Sequence, residues 1–389
     1  MTLFVLYLLA LTALTVSLVF IPLILVTAIP LKAVYYHALI RKPVVWGITL
    51  FTVAWQGWMI FQSGTLPWSH AVPLAIIGLS VFIIYNLYPS VAFPAVDYPE
   101  MSDDPLALPI KDDAQVAIIE HNGVTKAYPL DYLIHGHIIN DWFGDRLVSL
   151  TYCALCRSVI PFDVTDIGPL YVGAMKNGNM VLADRRTGTF FQQGTFESEI
   201  GPLHPRTLEM VMFQFLTWKQ VKELDEMPLM PHVTEHDFRP FALPIPGAWE
   251  RLTKGDLTPG LSAARRDKSF PARTSVIGIT DPSVNPQIVY IKDEVLKQGV
   301  VKNDAQGLFL VAQDKVVNAF KAITGGSSVD LVLGEGTDLK DQTTGTVWDV
   351  RGKHKSGPIQ SNLEMVMTSD EYWYSWKLFH PRSELVRLG

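Results

Sequence analysis

Two cysteines serve the whole 389-residue chain, and they stand three positions apart, Cys153 and Cys156, within "LTYCALCRSVIPFD". That spacing suits metal ligation, a reversible disulfide, or a nucleophile with a resolving partner. As a metal site, two soft thiolates would take a zinc or copper ion and need one or two further ligands. His135 and His137, just upstream, are candidates, and His204 is another. As a redox pair the thiols would cycle with a disulfide, usually at a helix N-terminus, and "RSVIPFD" reads poorly as a helix. As a nucleophile, Cys153 would use His137 as base and Asp141 as its orienter, giving a Cys-dependent hydrolase or transferase. A structural disulfide is the plain alternative. Arg157 after the second thiol breaks the Cys-x-x-Cys-His signature of c-type haem attachment. It is instead placed to lower a thiol pKa or to hold a carboxylate.

A second polar group begins at Asp184 and Arg185 in "DRRTG". Asp ahead of Thr-Gly is turn chemistry, while Arg185 and Arg186 offer an anion contact.

What must position these residues is a strand-rich region with internal self-similarity. Short β-rich runs ("QVAIIE", "RLVSLTY", "NMVLAD") alternate with Gly, Asn and Asp turn signals. "LEMVM" occurs at Leu208–Met212 and again at Leu363–Met367, Thr187-Gly188 returns as Thr344-Gly345, and Trp218-Lys219 as Trp376-Lys377. Upstream, Tyr128, Asp131 and Asn140-Asp141 align with Tyr290, Asp293 and Asn303-Asp304. Ordered matches of this kind imply a duplicated unit. The thiols are missing from the second copy, where Gln313 and Asp314 stand nearby. A polar replacement predicts an open, cleft-like location and reactive work in the first copy alone. His135 and His137 also lack histidine counterparts.

Ahead of this region lie three apolar segments, about 3–31, 44–62 and 71–87, each near or above the roughly 20 residues that cross a bilayer. The first has no basic n-region and is too long for a signal peptide. No Asp, Glu, Lys or Arg falls within these spans, which disfavours an ion pathway. The first connection carries Lys32, Arg41 and Lys42 and the second carries no Lys or Arg, so loop charge favours a cytoplasmic soluble region. A net charge of −6 without a basic run excludes nucleic acid as a partner.

Four segments together, "AYPLDYLIHGHIIND", "TYCALCRSVIPFD", "DRRTGTFFQQGTFESEIGPL" and "LEMVMFQFLTWKQV", resemble the prokaryotic family called domain of unknown function 3179 over roughly residues 110–380. The family's features fall on His137, Asn140 and Asp141, on Cys153 and Cys156, on Asp184, Arg185, Thr187 and Gly188, and on Gly201-Pro202-Leu203. Ala154 stands where the family usually has Pro, and Phe190-Phe191 where it tends to have Trp. The resemblance implies no assigned reaction. It does imply an extracytoplasmic location, against the loop charges.

The expected architecture is therefore three N-terminal transmembrane helices (1–94) and an α+β, strand-rich soluble region of two homologous repeats, 95–230 with the thiols and 274–389 without, joined by a linker at 231–273. The bilayer is the expected partner. The expected function is a single metal-binding or thiol-redox site, with a non-catalytic accessory or assembly subunit of a membrane complex as the alternative from another class.

Overall fold

The computed structural model describes residues 3–238 and 258–388. The central part of the expected linker, residues 239–257, lies outside the described residues.

The apolar N-terminus forms α1 (Leu3–Leu18), α2 (Phe20–Leu25), α3 (Leu31–Ser63) and α4 (Ala71–Asn86). Three stretches, Leu3–Leu25, Leu31–Ser63 and Trp68–Asn86, are long and apolar enough to cross a membrane. The boundaries differ from the sequence reading at two places, the first being that the helix expected over 3–31 ends at Leu25. Second, residues 31–43, expected as a loop, are the first turns of α3, with Pro43 inside the helix. At 1.5 Å per residue this 33-residue helix is about 50 Å long, well beyond a hydrocarbon core of roughly 30 Å. The excess is packed. Val34 and Tyr35 are buried in a cluster with Ala174, Val181, Ala183 and Phe190 of the strand-rich region. Tertiary packing supplies helix stability that local sequence does not advertise. Arg41 and Lys42 are consequently helical, and Arg41 is buried, donating to the Ile84 carbonyl at 2.7 Å.

In the strand-rich region the first half runs through β1 (Val96–Asp97), β2 (Gln115–His121), β3 (Val124–Pro129), helix α5 (Leu130–Gly136), β4 (Ile138–Phe143), β5 (Arg146–Cys153), β6 (Ser158–Asp163), β7 (Leu170–Lys176) and β8 (Asn179–Asp184). It ends in β9 (Phe190–Gln192), β10 (Ser198–Ile200), β11 (Glu209–Met210) and β12 (Phe213–Thr217). Asn122-Gly123 and Asn177-Gly178 have positive φ at both residues, the type I′ geometry whose twist joins β2 to β3 and β7 to β8.

Three sheets result, ordered β12-β2-β3, β1-β4-β5-β6-β11 and β10-β9-β8-β7. The second half has sheets of related order. Thr368–Tyr372, Ser275–Ile279, Ile288–Ile291 and the added edge strand Glu384–Val386 form one; Val300–Asn303, Leu308–Gln313, Val316–Lys321 and Met365–Val366 form the next. The third runs Leu331–Leu333, Leu339–Asp341, Val347–Trp348 and His354–Ser356. A short helix, Lys292–Gln298, stands where α5 stands in the first half.

The halves interlock around the thiol turn. The cluster holding Cys153, Cys156, Leu155 and Phe162 also contains Leu261, Ala272 and Tyr374. The thiols are therefore buried, not in an open cleft as their polar counterparts had predicted: Cys153 is 4% exposed and Cys156 0%. The reason is loop length. Cys153 pairs with Ser158 across a turn of four residues, whereas Gln313 pairs with Val316 across a turn of two. The longer turn folds its sulfurs inward, and Gln313 stays half-buried.

Candidate functional site

The thiol turn joins two strands, so no helix follows Cys156. The turn is closed by its own backbone, with the Cys153 carbonyl accepting from the Cys156 and Arg157 amides at 3.1 and 2.7 Å. Arg157 takes φ +64° to complete it. Its carbonyls are held by the second half: Arg273 Nη1 donates to Leu155 at 2.5 Å, and the Tyr372 amide to Cys156 at 2.9 Å.

The two sulfurs are 3.0 Å apart and unbonded. Asn179 Nδ2 donates to Cys156 Sγ at 3.1 Å, and Tyr374 Oη lies at 3.6 Å from it. Asn179 is fixed by buried amides: its Oδ1 accepts from Gln192, and its Nδ2 also donates to Gln193 at 3.3 Å. Burial alone would push the Cys156 thiol up, but the hydrogen bonds from Cys153, Asn179 and Tyr374 outweigh it and bring the group down to about 7. Burial drives Cys153 in the other direction, well above the ordinary thiol value. The pair is thus split, with Cys156 ionising well before Cys153.

Two further groups flank it. Glu371 is buried, accepts from Ser369 Oγ at 2.8 Å, and is raised to about 8 by burial and the Cys156 charge. His137 ends α5 at φ +57°, packs tilted against Phe93 with ring centroids 4.4 Å apart, and is lowered to about 4 chiefly by burial. His137 and Cys153 line one apolar cavity of about 220 Å³. Ile24 at the end of α2 and Pro89 and Phe93 just beyond α4 also line it, with Val172, Met175 and Met180.

The remaining candidates are engaged elsewhere. His135 faces His236, ring centroids 5.7 Å apart. His204 Nδ1 meets the Ser198 carbonyl at 2.8 Å. Asn140 is fully buried between Asp97, Ser149 and Leu170, and Asp141 accepts from Lys126 Nζ at 2.8 Å and Tyr128 Oη at 2.6 Å. Asp141 therefore does not orient His137. Asp184 closes its own turn, accepting from the Thr187 amide at 2.6 Å and the Thr189 amide at 2.8 Å. Arg185 pairs with Asp97 at 2.9 Å. Arg157 spans the halves to Ser275 Oγ at 3.0 Å and Asp370 at 3.5 Å, so it holds a carboxylate of its own chain.

Two thiolates on one tetrahedral zinc, each about 2.3 Å from it, stand about 3.8 Å apart. Here they are 3.0 Å apart, and among the described residues no three His, Cys, Asp or Glu side chains form a metal-holding group.

The family model for the protein of unknown function DUF3179 matches residues 91–383, beginning at the end of the membrane helices and including the thiol turn and both sets of sheets. The chain belongs to the DUF3179 family. No curated protein and no solved structure matches it. Within this DUF3179 chain, sequence reasoning found Cys153, Cys156 and His137 but missed Asn179, Tyr374 and Glu371. The first had a weak signal, since Asn179, Gln192 and Gln193 are amides in otherwise apolar strands. The other two are more than 200 residues from the thiols and had none.

Proposed function

We propose that this DUF3179 protein is a membrane-anchored thiol-redox protein whose Cys153–Cys156 pair exchanges two electrons with a small apolar molecule dissolved in the bilayer. The observation that carries this reading is that the sulfurs lie 3.0 Å apart with Cys153 on an apolar cavity lined by residues at and just beyond the ends of the membrane helices. Burial argues against a protein partner. A disulfide on another protein could not reach sulfurs that are 4% and 0% exposed, whereas a small apolar molecule could enter the cavity.

A quinone-class acceptor fits the balance of the step. Oxidation forms one S–S bond and gives up two electrons and the two thiol protons, that of Cys156 having already left on ionisation. The quinone takes two electrons and two protons and departs as the quinol. Cys156, near pKa 7, is the electron-rich sulfur, and Glu371, protonated at neutral pH, is a proton source beside it.

Duplication of one unit is part of the proposal. It is supported by the related strand orders of the two halves and by matched hydrogen bonds at Asp184 and Asp341, each binding the Thr-Gly turn three residues on. An extracytoplasmic soluble region is also proposed. Arg41 serves the fold by capping Ile84, which weakens its value as a topology signal, and an oxidising compartment suits a disulfide.

The test uses reduced full-length protein in lipid nanodiscs under anaerobic conditions, mixed with a short-tailed quinone. We expect one quinol per chain and loss of both free thiols, and no reaction in Cys153→Ser. Thiols that stay reduced under excess quinone would overturn the reading.

A further inference from the structure

A second cavity, of about 470 Å³, lies where the membrane helices meet the strand-rich region. Arg41, Lys42 and Arg185 line it, with Tyr88, Ser90 and Tyr171. Among the described residues no acidic side chain lines it. Asp97 engages Arg185 nearby, and the Asp184 carboxylate is taken up by its own turn.

Its position along α3 matters. Counting back from Ser63, about 20 residues cross the hydrocarbon core, which ends near Val44. Arg41 and Lys42 then stand within about one helical turn beyond it, at the level of lipid headgroups. Arg41 is 6% exposed, with its guanidinium 3.5 Å over the Tyr88 ring and one nitrogen on the Ile84 carbonyl. Arg41 Nε and Tyr88 Oη are buried, and neither has a hydrogen-bond partner among the described residues. Both can donate, and a buried donor left without an acceptor is costly. Phosphate oxygens accept only, and a guanidinium binds them with charge-assisted bonds. Toward the core from these charges, α3 exposes Leu50 and Phe51 and α4 exposes Phe82, a surface for acyl chains below a charged hollow.

We infer that this cavity binds the phosphate headgroup of an anionic membrane lipid, with Arg41 and Tyr88 donating to it and Lys42 supplying further charge. Lipid, rather than free phosphate, is the source because the hollow is at headgroup depth and flanked by exposed apolar helix surface.

The experiment is native mass spectrometry and thermal unfolding of the detergent-purified full chain, titrated with phosphatidylglycerol, phosphatidylcholine or inorganic phosphate. We expect phosphatidylglycerol alone to form a stoichiometric adduct and raise the unfolding temperature. Arg41→Gln should abolish the adduct, but it also disturbs a buried contact. Lys42→Gln removes an exposed charge from the same hollow and should weaken phosphatidylglycerol binding about fivefold. Equal binding of both lipids, an unchanged affinity in Lys42→Gln, or the same stabilisation by inorganic phosphate would each overturn the inference.

Discussion

His137 and Gly299 occupy the same backbone place in the two halves: each follows a short helix, and each accepts through its carbonyl from the next hairpin, from Tyr152 at 2.7 Å and Ala312 at 2.6 Å. Both have positive φ, +57° and +78°. Glycine takes that conformation without steric cost, and histidine does not. The thiol-bearing half therefore keeps a strained residue where its counterpart is relaxed, and the ring so placed lines the cavity beside Cys153. This ties the strain to the site, as expected where strain serves function.

The strain is measurable by two replacements. His137→Ala and His137→Gly lose the same imidazole packing, but only glycine relieves the backbone. We expect His137→Gly to be more stable than His137→Ala by about 1 kcal/mol in chemical denaturation. Equal stabilities would remove strain from the account.

The split thiol pair predicts a titration. Thiolate absorbance near 240 nm should rise with a midpoint at about pH 7, from Cys156. In Cys153→Ala the largest hydrogen-bond contribution disappears and burial is less opposed, so the midpoint should move up by about one unit or more. A midpoint that stays near 7 in that variant would show that Cys153 does not stabilise the Cys156 thiolate.

How far this site could be read from sequence is seen in its members. Cys153, Cys156 and His137 were legible because rare or reactive side chains lay close together and the second half of the chain has none like them at the matching motifs. Tyr374 reaches the Cys156 sulfur, and Glu371 feels its charge, because Tyr372 pairs its amide with the Cys156 carbonyl, a contact across 216 residues that leaves no local pattern. On the proposed duplication, the matching turns were legible, yet the pairing was off by one at Asn140-Asp141. Asp141 accepts from Tyr128 Oη, whereas Asn303 donates to Tyr290 Oη, so Asp141 corresponds to Asn303, not to Asp304. The apolar spans were legible by composition. The first turns of α3 were not, because the packing of Val34 and Tyr35 on distant strands makes them helical.

Glu371 carries a pH dependence of the opposite sign to Cys156. Its folded pKa of about 8 lies above the ordinary 4.5, so the folded state holds the proton more tightly. Its contribution to stability is full below about pH 4.5 and is lost as pH rises to about 8. Glu371→Gln mimics the protonated acid and should match wild type at pH 4. At pH 9 it should be the more stable by roughly 5 kcal/mol. If the variant gains nothing at pH 9, Glu371 is not a buried neutral acid.

Lys176 joins the anchor to the strand-rich region. Nearly buried at the end of β7, its ammonium donates to the Leu23 and Val26 carbonyls at 3.0 and 2.6 Å. These carbonyls lie at the C-terminal end of α2, where the last turn leaves acceptors without helical partners and the dipole favours a cation. Lys176→Met keeps most of the apolar stem and removes the donor, so the loss is electrostatic rather than a packing defect. We expect it to cost about 2 kcal/mol and to expose residues 26–30 to protease in nanodiscs. Because Ile24 also walls the thiol cavity, the same variant should slow quinone reduction while leaving the Cys156 midpoint near pH 7. An unchanged cleavage pattern with full quinone reactivity would mean that the α2 end is held in place without Lys176.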